Sequence, residues 1–483
     1  MHGELQDEQQ ERHEEDAAAN AQECTERSRH RTHGHDEQHG QRRHRAGVIL
    51  YWSPRRLRPR GATRTPGPRK PQPGPARAWN LATPTPPRHA DTMDTAPCLD
   101  FLRRLLSTES LPGREADVAA LVDTEMRALG YDGVRRDDAG NVIGLIRGDG
   151  RAPAMMFNTH LDHVDVGDPA AWPHPPFAAT IVDGRVFGRG AVDIKGPLAA
   201  QVHGVGSLCR DGSRPPGDVY VTAVVQEEVG GLGARHLVGH LKPSFVIVGE
   251  PSGNQLRRGH RGRTEAVLRV GGRSVHASVP HLGVNPLQVV ARFITALESL
   301  PMRPNADLGP SSVAPTLIKT DQTSPNVIPS EILLTCDWRN VPGESPEDVR
   351  DALAAVAARC LVPGATATVE LPEIEERSYT GYRRTYLTYF PPFLVPDDHA
   401  AVRAAASVLA EAIGLQDPVG VWKFATDGGH FAAAGQTVVG FGPGEETLAH
   451  TIHEAIDVSA LETAMSGNRS LALHWTHTIA ANA

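Results

Sequence analysis

An α/β protein, an open and mostly parallel sheet carrying a second, inserted α/β unit, is what this 483-residue sequence predicts. Three observations predict it. Short apolar runs alternate with amphipathic helical stretches through about residue 250, the rhythm of a parallel sheet flanked by helices. Between about 262 and 378 the order becomes strand, helix, strand, strand, helix, strand, a split β-α-β arrangement of ferredoxin-like (βαββαβ) type. After Asp397 the first rhythm resumes, so the second unit reads as an insertion. The expected division is a low-complexity tail over 1–92, one domain in two parts over 93–261 and 379–483, and the insertion over 262–378.

Residues 1–92 begin rich in Gln, Glu and His and turn into an Arg/Pro segment that includes Arg55-Arg56-Leu57-Arg58-Pro59-Arg60. Such a composition buries too little apolar surface to offset the entropy of ordering, so a disordered tail is expected. It lacks the interleaved aromatics of a nucleic-acid arm, and Met93 makes a natural start for the globular part. Net charge is −8, and the tail holds 16 of the 49 basic residues against 12 of the 57 acidic ones, leaving the remainder at −12. An acidic globular part predicts no nucleic-acid partner. The five cysteines are far apart and never paired as C-x-x-C, which argues against a disulfide framework or a thiolate metal site. No apolar run approaches the roughly 20 residues of a membrane span, and the start has no hydrophobic signal core. A cytoplasmic enzyme or binding protein is the default.

In order along the chain, residues 115–129 place Val118, Leu121, Val122, Met126 and Leu129 at helical spacing, with Gly130 as the stop. A turn over 137–141 precedes a strand over 142–146, and a second strand over 154–157 runs towards His160. The proline-stiffened loop 172–177 leads to a hairpin at Asp183-Gly184. Apolar runs over 219–225 and 245–248 complete the first half. The insertion reads as strand 265–270, helix 285–300, strands 313–319 and 331–338, helix 346–360 and strand 366–371. A helix over 400–413 stops at Gly414, and another over 459–475 closes the chain. The aromatic stretch 378–395 is expected at the domain junction, with a pocket wall as the alternative.

Chemistry gathers where strand-like runs end. His160 and Asp162 follow the run ending at Phe157, Glu227 and Glu228 follow 219–225, Glu250 follows 245–248, and Asp193 follows the glycine-flanked Gly188-Arg189-Gly190. In open α/β sheets, ligands sit at the carboxyl ends of the strands. Four carboxylates brought there without a cation would be costly to bury. With a later histidine, His160, Asp193, Glu228 and Glu250 supply one bridge and two terminal ligands for each of two metal ions. Asp162, two residues after His160, suits a partner for its second ring nitrogen. Adjacent Glu227 and Glu228 allow one carboxylate to bind metal while the other takes a proton from water.

Asn158-Thr159-His160-Leu161-Asp162, Gly188 through Gly196, Gln226-Glu227-Glu228-Val229-Gly230-Gly231 and Gly249-Glu250-Pro251-Ser252 together resemble the dinuclear zinc hydrolase family of aminoacylases, acetylornithine deacetylase, succinyl-diaminopimelate desuccinylase and carboxypeptidase G. The resemblance spans about residues 95–475. It implies a zinc-peptidase-like catalytic domain with an inserted lid, homodimerisation through that lid, and two Zn2+ ions, with Co2+ or Mn2+ as substitutes. By motif match His160 and Glu250 would hold one ion, Glu228 and His450 the other, and Asp193 would bridge them. Glu227 would be the general acid/base and Asp162 the support for His160. His450 stands in Ala449-His450-Thr451-Ile452-His453-Glu454, where relatives carry Asn or Asp in place of His453. Spacing to Glu454 points to His450 as the ligand, with His453 as the alternative.

The same resemblance implies that His276, in Ser274-Val275-His276-Ala277-Ser278, stabilises an oxyanion, within its own chain or across a dimer. It also marks Asn326, Arg339 and Asp427 as substrate contacts. The plainer readings are a satisfied loop histidine for His276 and a surface ion pair for Arg339. The expected activity is hydrolysis of an amide bond in a small N-acyl amino acid or dipeptide, with no nucleic acid or membrane involved. A catalytically silent relative acting in binding or assembly is the alternative, and it would lack a ligand or the base; this sequence lacks neither. The glycine-containing stretches Gly188-Arg189-Gly190 and Gly230-Gly231-Leu232-Gly233 follow neither phosphate-binding pattern.

Overall fold

The computed structural model describes residues 93–482, so the expected tail over 1–92 lies outside the described residues. A nine-stranded sheet forms the larger unit. Along it run Gly133–Arg136, Val142–Ile146, Val219–Val224, Met155–His160, Phe245–Val248, Thr437–Gly440, Arg257–His260 and Phe393–Leu394, and Gly420–Trp422 pairs beside Arg257–His260. Parallel pairing joins the four central strands from Val219–Val224 to Thr437–Gly440, while most edge pairings are antiparallel. The mostly parallel expectation therefore holds for the centre. On one flank the short turn at 137–141 folds Gly133–Arg136 back on Val142–Ile146, which imposes an antiparallel edge.

The central strands are apolar on both faces, as buried parallel strands are. Met155 and Phe157 face one core, with Phe101, Val202, Leu409 and Trp475 from helices Ala96–Leu106, Lys195–Asp211, Ala400–Ile413 and Val458–Asn482. Met156, one residue out of step, faces the other core with Leu237, Trp422 and Phe431. Each such side chain contributes about 1.5–3 kcal/mol by leaving water. Pairing within the sheet fixes depth: His160 lies opposite Val224, and Asn158 opposite both Thr222 and Val248. All four parallel strands therefore end along one edge.

The second unit has its own core, including Leu268, Phe293, Leu334, Trp338 and Leu353. Its strands Ser312–Thr320, Glu331–Arg339, Arg263–Gly271 and Thr366–Glu370 lie in that spatial order, every neighbour antiparallel, with helices Pro286–Leu297 and Pro346–Cys360 packed against them. That is a split β-α-β sheet. Helix Pro346–Cys360 starts at a capping box, Ser345 with Asp348. Tyr389–Phe390 pairs with Arg263 and Thr264, so the aromatic stretch enters this sheet before crossing to the larger one. Gly262 lies at the crossing. A side chain there would come within 2.5 Å of the Phe390 carbonyl and 2.7 Å of Pro392 N. Tyr379 donates to the Gly140 carbonyl at 2.8 Å, placing residues 378–380 against the larger unit.

His260, fully buried at this crossing, makes stability depend on pH. Its Nδ1 donates to the Arg261 carbonyl and its Nε2 accepts the Thr426 N–H, and burial lowers its pKa to about 4. Because the unfolded ring protonates near its ordinary value, the unfolded state binds the extra proton first as pH falls. Stability is therefore intact above pH 6.5 and is lost towards pH 4, by at most about 3 kcal/mol from this residue. Denaturant unfolding at pH 7 and 4.5 should show a smaller drop for His260→Gln than for the wild type; equal drops would refute the assignment.

Candidate metal centre

Three strand ends supply the site. His160 is the last residue of its strand, Glu227 and Glu228 follow Val219–Val224, and Glu250 follows Phe245–Val248. Asp193 comes from the turn before helix Lys195–Asp211, and His450 from the loop before strand Ala455–Asp457. A small sheet brings these last two together: Ala455 pairs with Phe187, immediately before Gly188. Glu454 then fixes the turn itself. Its carboxylate accepts the N–H groups of Val192 and Asp193, both at 2.9 Å, and binds Arg189 at 2.5 Å. The Arg189 guanidinium also stacks over Trp172.

Ligand-type atoms converge in two groups, His160 with Asp193 and Glu250, and Asp193 with Glu228 and His450, each within 4.8 Å. Asp193 belongs to both and divides its oxygens between them. Oδ1 is 3.2 Å from His160 Nε2, and Oδ2 is 3.2 Å from His450 Nε2. Glu250 lies 3.7 Å from His160 Nε2, and Glu228 lies 3.1 Å from His450 Nε2. His453 is exposed and belongs to neither group.

Asp162 has a wider role than the sequence suggests. His160 Nδ1 is 3.1 Å from the Asp162 carbonyl and 3.3 Å from its carboxylate, so Nδ1 carries the proton and Nε2 is left for the centre. The Asp162 carboxylate also accepts the backbone N–H of Glu227 and of Glu228, both at 3.1 Å. It thereby holds the sharp turn at Gln226, whose φ of 57° is uncommon for a residue with a side chain.

The electrostatics call for a cation. Burial pushes Glu227 and Glu250 well above the ordinary carboxyl range, aided by Asp427 for the first and Asp193 for the second. Burial and Asp193 raise Glu228 to about 7. Against the effect of burial, Asp162 and Asp193 hold His160 well above its usual value. Asp193 and Glu228 raise His450 to about 10. Each imidazole nitrogen aimed at carboxylates must carry a proton or face a shared positive charge. Divalent ions in the two groups satisfy nitrogens and oxygens alike, and the all-N/O donor set suits zinc, cobalt or manganese.

The remaining expected residues lie as follows. His276 is exposed and hydrogen-bonds Ser278 at 2.8 Å. The Asn326 backbone carbonyl accepts the Ala277 N–H. Arg339 pairs with Asp337, at 2.7 Å, on its own strand, and Asp337 also binds Arg263. Asp427 is buried at the beginning of helix Gly428–Ala433, close enough to His160 and Asp162 to feel their charges. Glu454 and Arg189 were missed as functional residues, although both stand inside the motifs quoted above.

Residues 156–474 match Peptidase family M20/M25/M40. The chain is 31% identical over 386 residues to YgeY of Escherichia coli (strain K12), covering 78% of this chain and 94% of that one. It is 26% identical over 377 residues to a succinyl-diaminopimelate desuccinylase of Methylobacillus flagellatus, covering 75% and 95% respectively. Among solved structures, the aminopeptidase PepT from Bacillus cereus superposes with a TM-score of 0.64 at 19% identity, over 80% of this chain and all of that one. YXEP from Bacillus subtilis, described as a dinuclear metal binding peptidase, gives 0.58 at 18% identity, over 78% of this chain and 97% of that one. With the family matched over most of its length and two ligand groups at the strand ends, this chain belongs to the peptidase family M20/M25/M40.

Proposed function

We propose that this chain is a hydrolase that uses two zinc ions to cleave an amide bond in a small N-acyl amino acid or dipeptide. The observation that carries the reading is the division of the two Asp193 oxygens between the two ligand groups. His160 and Glu250 would hold one ion, Glu228 and His450 the other, with Asp193 between them. When bound, such ions supply Lewis-acid activation of water and of a carbonyl. Glu227, buried beside the centre, accepts a proton from water and passes it to the leaving nitrogen. Asp162 orients His160 and the Glu227 backbone together. The same reading takes the chain to be a homodimer through the second α/β unit, with the exposed His276 contributing to oxyanion stabilisation.

The deciding experiment is a panel of N-acyl amino acids and dipeptides presented to zinc-loaded protein; hydrolysis of none would refute the reading. Asp162→Asn is expected to weaken metal binding by roughly 10–100-fold, the usual effect of removing a ligand's supporting carboxylate. Competition with a chromogenic chelator measures it, and unchanged affinity would remove Asp162 from this role.

A further inference from the structure

Beside the proposed base lies a group of polar atoms that the hydrolytic scheme does not use. Asp427 is 1% exposed, and among the described residues neither of its carboxylate oxygens makes a hydrogen bond of good geometry, although the Asn158 side chain lies close enough to oppose the rise of its pKa. His430, three residues on and 6% exposed, has an equally unpartnered Nε2. The two face the same point. A methyl group at Gly231, whose φ is 76°, would lie 2.8 Å from His430 Nε2 and 3.1 Å from Asp427 Oδ1. Gly231 closes the turn that carries Glu227 and Glu228, so its missing side chain keeps carbon out of the space between that turn, the carboxylate and the imidazole.

The charges nearby compensate Asp427 only in part: burial raises its carboxyl to about 7, with His160 and Arg235 opposing the rise. Arg235 and Arg384 are cations on this side, but the donors of Arg235 go to the carbonyls of Gly230, Leu387 and Tyr389, its plane lies over Tyr386, and Arg384 donates to the Arg235 carbonyl. A second buried carboxylate, Glu376, hydrogen-bonds the Tyr386 hydroxyl and also faces Arg235. Neither metal-ligand group includes Asp427, so cations in the centre would leave it without a direct partner. Yet Asp427 is the neighbour whose charge acts most strongly on Glu227. Its exposure is no lower than that of His160, itself 1% exposed. A buried, unpaired carboxylate is expensive, and a primary ammonium, with three donors and a positive charge, is the group that satisfies it. His430 is held well below its usual pKa by burial and by Arg235, so it is neutral and adds no competing charge.

We propose that Asp427 and His430 form an amine subsite beside Glu227, and that the substrates of this centre are peptides with a free amino terminus rather than N-acylated amino acids. This rests on the hydrolase reading above and narrows it. A blocked substrate places no cation at Asp427, and a substrate whose sole charge is a carboxylate is repelled by it.

The test compares alanyl-alanine with N-acetyl-alanyl-alanine, which share one scissile bond, using zinc-loaded protein. Binding of L-alaninamide and N-acetyl-L-alaninamide is measured in parallel by calorimetry. The free amine is expected to be favoured at least tenfold in kcat/KM and in affinity. Asp427→Asn is expected to lower kcat/KM on the free dipeptide by at least about thirtyfold, mainly through KM, the scale of a broken buried charge contact. Its loss on the blocked peptide should be at least tenfold smaller. Equal use of both peptides by the wild type, or equal losses in the variant, would overturn the subsite and leave hydrolysis standing. If neither peptide is cleaved, the hydrolase reading fails, and the calorimetry still decides: amine-selective binding that Asp427→Asn removes supports the subsite, and no selectivity overturns it.

Discussion

Glu227→Gln is expected to lower kcat by about 10³-fold, within the range general acid–base catalysis contributes, while leaving metal content unchanged. The substitution keeps shape and volume and removes the titrating group. The ligand-type atoms of His160, Asp193, Glu228, Glu250 and His450 lie outside it, and the Asp162 carboxylate still grips the backbone N–H of residues 227 and 228. Structure argues that stability will not fall. Burial first, and then the charges of Asp427, Glu250 and Glu228, disfavour the ionised form of Glu227 against the opposing effect of His160, so a neutral amide is tolerated there. Elemental analysis, a thermal melt and steady-state kinetics on the zinc-loaded variant separate the effects. Turnover within a few-fold of wild type would remove Glu227 from the proton path, and loss of metal would mean that it acts as a ligand.

What the sequence made legible was local chemistry and the order of elements. Helix Pro346–Cys360 was readable because Ser345, Pro346 and Asp348 write its start in adjacent residues. Helix Ala400–Ile413 was readable because Gly414, at φ 71°, ends it. The strand into the centre was readable as an apolar run, but it reaches His160 itself instead of stopping at Phe157. Sheet pairing carries it there, with His160 opposite Val224 more than sixty residues away. The strands Arg257–His260 and Thr437–Gly440 left little trace in composition. Four residues each, they are strands because the Phe245–Val248 strand and its neighbours already supply an edge.

His160, Glu228 and Glu250 were legible because each closes or follows a recognisable apolar run, and Asp193 because glycines flank its turn, whereas what holds them was not. Glu454 reaches back 261 residues to accept the Asp193 N–H, a relation that no local pattern encodes. Arg339 shows the reverse case. Residues two apart on a strand share a face, so its pairing with Asp337 could have been read directly from the sequence.

Chelation should abolish activity and, in a pH-dependent way, destabilise the fold. Without cations the centre retains three acids, Glu227, Glu228 and Glu250, whose folded pKa values burial has raised, Glu228 to about 7. Such groups hold protons better folded than unfolded. The metal-free protein therefore loses stability as pH rises from about 4.5 through 7, where the unfolded chain has already released those protons. Metal binding runs the other way, because it requires the ligands deprotonated and tightens as pH rises. The gap between loaded and chelated protein should thus be small near pH 5 and widen above pH 7. At a hundredfold excess of free ion over Kd it approaches about 2.7 kcal/mol for each site. Zinc or cobalt should restore both turnover and melting temperature in parallel, since ions held by His160, Asp193, Glu228, Glu250 and His450 would also neutralise those carboxylates. Full activity in metal-free protein, or a gap that shrinks as pH rises, would show that these carboxylates are not gathered around cations.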